Sequence, residues 1–165
     1  MTLSFQKQEI LIKVTDVACE KNYKSKLRYD CALEIYGRKS QAFVMVMAVD
    51  NYQSLSTIEQ QLKLIRKWKN NSLENIVFVL NKTDLPLEQH KVTEEDVQKL
   101  IEKHDVTNCS LVCTSALNDR NVGLLWQKVA RHLFLSSDSL IMQLIHDLLN
   151  TMGNSFESTD KCVLV

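Results

Sequence analysis

Ile76-Val77-Phe78-Val79-Leu80-Asn81-Lys82-Thr83-Asp84 is the stretch on which the fold turns. Five consecutive apolar residues read as a strand covered on both faces, the habit of a parallel sheet. The polar residues that close it therefore stand just past a strand's carboxyl end, where open α/β sheets bind ligands. One segment later the pattern recurs: Leu111-Val112-Cys113 is closed by Thr114-Ser115-Ala116.

Working outward, the run Ala42 to Val49 is apolar throughout and predicts a second buried strand. Between these strands Leu55, Ile58, Leu62 and Ile65 recur at helical steps. Thr93-Glu94-Glu95-Asp96 reads as a capping box with Asp in its last place, opening a helix that carries Val97, Leu100 and Ile101. Val122, Leu125, Trp126, Val129 and Leu133 mark a further core helix. Nearer the start, Thr2 to Phe5 and Glu9 to Val14 predict a hairpin, and residues 20 to 36 a helix. Strand and helix alternate, so the fold class is α/β with a mostly parallel sheet.

An aspartate carboxylate at position 84 can accept two N–H donors from the edge of a guanine ring. Asn81 can brace the neighbouring loop, the Lys82 stem can cover the ring face, and the Ser115-Ala116 backbone can donate to the guanine carbonyl oxygen. Together Asn81-Lys82-Thr83-Asp84 and Thr114-Ser115-Ala116 resemble the guanine-specificity loops of the Ras superfamily of small GTPases, with Leu117 in a place often taken by lysine. The resemblance covers roughly residues 2 to 134 and implies a small-GTPase-like three-layer fold. Thr2 to Asp16 is similar to the hairpin between the switch regions of Ras and Rab proteins. On that reading Asp16 stands where the family reaches Mg²⁺ through water, Cys19 replaces a glycine whose N–H meets the γ-phosphate, and Glu20 stands where a water-orienting glutamine is common. A turn or capping aspartate is the competing reading of Asp16.

A phosphate-binding loop of the form GxxxxGK(S/T) needs glycines so that backbone N–H groups can point at the phosphates. The chain has three glycines, Gly37, Gly123 and Gly153, and none directly precedes the lysine of a Lys-Ser or Lys-Thr pair. The resemblance is thus to a small GTPase without its phosphate loop and first switch region, incomplete at the N-terminus. No catalytic residue is assigned, GTP or GDP is expected to bind weakly or not at all, and Mg²⁺ is doubtful. In the family the strand before the phosphate loop lies inside the sheet, between the strands represented by Ile10–Val14 and Phe43–Val49. Either the chain is a fragment or alternative product of a longer GTPase, or the remaining strands close the gap, or Glu9 to Val14 is itself the central strand of a compact pseudo-GTPase.

The function implied is that of a Ras/Rab-like product, a guanine-nucleotide-binding signalling or trafficking switch with its phosphate site missing. The alternative is a pseudo-GTPase that serves as a protein-interaction module without hydrolysis. Either has protein effectors or regulators as partners. Formal charge is zero over 165 residues, so no global field draws the chain to nucleic acid. The basic groups Lys21, Lys24, Lys26, Arg28 and Lys63, Arg66, Lys67, Lys69 read as solvated helix faces. Five cysteines without a signal peptide point to a reducing, cytoplasmic setting, with Cys109 and Cys113 as small buried hydrophobes.

A domain over 1–135 is expected to be followed, over 136–165, by an amphipathic helix and a tail. Leu140, Ile141, Leu144, Ile145, Leu148, Leu149 and Met152 share one helical face, with Asp138 or Ser139 as cap. Asp147 and His146 favour docking on the domain or a partner over a membrane surface. Cys162-Val163-Leu164-Val165 resembles a CaaX prenylation box, which makes Cys162 the expected lipidation site and allows peripheral attachment to the cytosolic face of a membrane.

Overall fold

A computed structural model describes residues 2–5, 8–11, 13–16 and 26–134. Its centre is the strand on which the sequence reading turned. Ile76 to Leu80 are all buried, and their side chains alternate between two cores. Three parallel strands make the sheet: β3 (Phe43–Ala48), β4 (Ile76–Asn81) and β5 (Cys109–Cys113), in that order across it. Met45 lies beside Phe78, and Phe78 beside Leu111.

On one face Ile76, Phe78 and Leu80 join Met45 and Met47 against helices α2 (Tyr52–Trp68) and α3 (Glu94–Lys103). Leu55, Ile58, Leu62 and Ile65 are all buried there, as their spacing requires. On the other face Val77, Val79 and Val112 meet Leu125, Trp126, Val129 and Ala130 of α4 (Val122–Phe134). Burying one such side chain is worth about 1.5–3 kcal/mol, so helix–sheet–helix layering is what the pattern of apolar residues selects.

Local signals fix the helix starts. Asn51 caps α2 by accepting the Gln53 N–H at 3.0 Å. Thr93 and Asp96 form the reciprocal capping box at α3, at 2.9 Å and 3.3 Å. The Thr93 N–H and hydroxyl hold the Asp96 carboxyl below its ordinary value.

The helix expected over residues 20 to 36 is observed as α1 (Lys26–Lys39), with residues 20–25 outside the described set. It runs past Gly37 because that glycine is where α1 presses on Trp68. A Cβ added there would sit 2.3 Å from Trp68 Cε3.

The hairpin forms as β1 (Thr2–Phe5) against β2 (Gln8–Leu11), with Thr2 opposite Leu11. The second strand stops at Leu11, short of the expected Val14. Among the described residues the hairpin is a sheet of its own, so β4, and not the Glu9–Val14 segment, holds the central place.

Among the described residues β3 lies at an edge of the sheet, and that edge is partly finished. The Val49 and Phe43 N–H groups turn inward to Asn81 and Asn75, which by alternation turns residues 44, 46 and 48 outward. Ser54 Oγ accepts the Ala48 N–H, and the Ala48 carbonyl accepts the Asn51 N–H. No helix among the described residues is long and apolar enough to cross a membrane. The amphipathic segment 139–152, the 136–165 tail and Cys162 lie outside the described residues.

Candidate functional site

Two loops leave the carboxyl ends of β4 and β5, and they are stitched together. Asn81, the last residue of β4, accepts at Oδ1 from the Thr114 hydroxyl and from the Ala116 N–H, each at 3.1 Å. Thr83 donates to the Thr114 carbonyl twice, from its N–H at 3.1 Å and its hydroxyl at 2.8 Å. The Thr114 N–H returns to the Leu80 carbonyl at 2.9 Å. Asn81 therefore braces the second loop, the role its chemistry suggested.

Ser115 is fully buried and every polar group it has is used. Its N–H and carbonyl pair with Arg120, at 3.1 Å and 3.0 Å. Its hydroxyl donates to Asp84 Oδ1 and accepts the Asn118 N–H at 3.4 Å. Asp84 itself is exposed, so the hydroxyl holds one carboxylate oxygen while the group faces solvent. A carboxylate oxygen has further lone pairs, and the second oxygen has no partner among the described residues.

Two expected donors are already engaged. The Ser115 N–H serves Arg120 and the Ala116 N–H serves Asn81. A ligand oxygen here would share the Ala116 N–H or take that of Leu117, which has no partner among the described residues. Leu117 is 84% exposed, so its side chain adds nothing to the core.

Lys82 leaves the strand in the left-handed region at φ 66°, which costs a non-glycine residue about 1–2 kcal/mol. Its Nζ donates to Asp50 Oδ2 at 2.9 Å. That hydrogen bond, more than any other influence, holds the Asp50 carboxyl below its usual range. Asp50 was not singled out from the sequence. The available signal was its place immediately after the apolar run 42–49, level with the other two loops.

The remaining expected groups lie elsewhere. Asp16 is exposed, and among the described residues no group of three or more His, Cys, Asp or Glu side chains is placed to hold a metal. Cys109 and Cys113 are half-buried rather than buried, and that partial burial pushes the Cys109 thiol up and the Cys113 thiol to about 11.

At the opposite, amino ends of the strands lies an open cleft of about 600 Å³ lined by Phe43, Lys69, Asn75, Asn108 and His132 among others. Lys69 there is not simply a solvated charge. It donates to the Arg38 and Ser40 carbonyls and sits 5.7 Å from the Phe43 ring centroid.

A family model described as the Ras family matches residues 1–135. No curated protein matches the chain.

Proposed function

The chain belongs to the Ras family, and from that premise we propose that it is a small-GTPase-like protein that reads the guanine base without gripping the phosphates. The observation that carries this reading is the exposed Asp84 carboxylate, oriented by the buried Ser115 hydroxyl beside loops that Asn81 locks together.

Each residue then has a task. Asp84 accepts the two N–H donors of the guanine edge. Asn81 and Thr83 hold the second loop in register, and the turn Ala116–Leu117 supplies an N–H to the ring carbonyl. Lys82 covers one face of the ring with its stem.

Nothing in the 165 residues has the form of a phosphate loop. Phosphoryl transfer depends on positioning and on charge neutralisation by a loop lysine and Mg²⁺, so hydrolysis has no engine here. The protein works through contacts with effectors or regulators, and Cys162 offers a lipid anchor that would bring those contacts to a membrane.

Calorimetric titration of the purified chain with guanosine and with adenosine tests the base reading. Guanosine binding with no adenosine binding supports it. Equal heats from both nucleosides, or none from either, would sink it.

A further inference from the structure

We propose that Asp50 is a positioning residue of the base site, holding Lys82 so that its stem lies ready over the purine; this rests on the guanine reading above. The pair joins the loop after β3 to the loop after β4. Of the ion pairs among the described residues, it is the one at the carboxyl ends of the strands. The others, Arg38–Glu34 and the contacts of Lys63, Lys103 and His104 with Glu59, lie on or between helices.

Asp50 stands on a rigid frame. The Val49 N–H before it binds the Asn81 carbonyl at 3.0 Å, and the Val49 carbonyl accepts the N–H groups of Lys91 and Val92 at 2.6 Å and 3.0 Å. Asn51 after it caps α2 and donates its own N–H to Ala48. Lys82, by contrast, sits in a left-handed turn with an exposed side chain. A lysine stem has four rotatable bonds and needs an anchor if it is to wait in one place. Asp50 Oδ2, at 2.9 Å, is that anchor.

A purely structural role explains the pair poorly. Exposed ion pairs contribute little to stability. Asp50 also keeps Oδ1 buried without a partner among the described residues, which is a cost to the fold. What the contact gains is the ordering of Lys82 before a ligand arrives. Immobilising one flexible side chain on binding is commonly worth a few-fold to tenfold in affinity. The stem covers the ring and reads no edge, so the gain is the same for any purine that Asp84 can hold.

The test uses the full chain as wild type, Asp50→Ala and Asp50→Asn. Guanosine and inosine affinities are measured for each, along with the rate of Lys82 acylation by mass spectrometry. The alanine variant should bind both nucleosides about three- to tenfold more weakly, with their ratio unchanged. Its Lys82 amine should be acylated faster. Asparagine, whose amide oxygen still accepts from Nζ, should restore most of both properties. Unchanged guanosine affinity in the alanine variant, or unchanged Lys82 reactivity, overturns the assignment of Asp50 and leaves the guanine reading standing. A wild type that takes no guanosine overturns the guanine reading itself, and this inference with it.

Discussion

Replacing Asp84 by alanine separates reading the base from holding the fold. In the structure Asp84 is exposed, and the bond it accepts from a side chain is that of the Ser115 hydroxyl. Removing it takes the acceptor from the buried Ser115 hydroxyl, so stability should fall by about 1–3 kcal/mol, with the protein still folded. The ligand loses more. Two N–H donors on a carboxylate are two charge-assisted hydrogen bonds, each about 1.5–3 kcal/mol. Together they amount to about 3–6 kcal/mol, or about 10²- to 10⁴-fold in Kd, and the exposed setting favours the lower end. Calorimetry with guanosine on wild type and variant measures this, with a thermal melt of each as the control for folding. An Asp84→Ala protein that is still folded and binds guanosine within about threefold of wild type would refute the role of this carboxylate.

Other perturbations probe other links. Gly37→Ala forces a Cβ to within 2.3 Å of Trp68 Cε3, so the α1–α2 contact should lose about 1–3 kcal/mol and the melting temperature should fall by several degrees; an unchanged melt would show that Trp68 yields freely. Thr93→Ala removes the cap of α3 and should cost about 1 kcal/mol in urea denaturation at neutral pH. The Asp96 carboxyl is depressed in the fold, so its capping contribution is present above the ordinary carboxylate value near 3.8 and is lost as pH falls through the lowered one. Asp96→Asn should therefore destabilise at neutral pH and make little difference at strongly acidic pH; a constant difference across that range would contradict the sign. Cys162→Ser should abolish any membrane-bound fraction, whereas equal recovery of both proteins with membranes would make the terminal box a passive tail.

The buried strands and the helices that cover them were legible because each carries its own period. Ile76–Leu80 announces burial on both faces, and Leu55, Ile58, Leu62 and Ile65 announce one side of a helix. The α3 cap was legible because both partners of the box lie within four residues. The reach of α1 past Gly37 was not, since the reason is Trp68 on another helix. The central place of β4 was hidden too, because which strand flanks which is decided by packing across the sheet.

At the site, Asn81, Lys82, Asp84, Ser115, Ala116 and Leu117 stood out by residue type and by place after a strand, and the structure brings their two loops together. What the sequence could not show is how the donors are spent. The Ala116 N–H is taken by Asn81, and the Lys82 ammonium by Asp50, whose mark in the sequence is its place just after the apolar run 42–49.

The most direct test of the account is a paired titration of the full chain with guanosine and with GTP in the presence of Mg²⁺. If the base alone is read, the two ligands bind weakly and with affinities equal to within about threefold, and removing Mg²⁺ changes neither. Submicromolar GTP binding that depends on Mg²⁺ would show a working phosphate site and contradict the account.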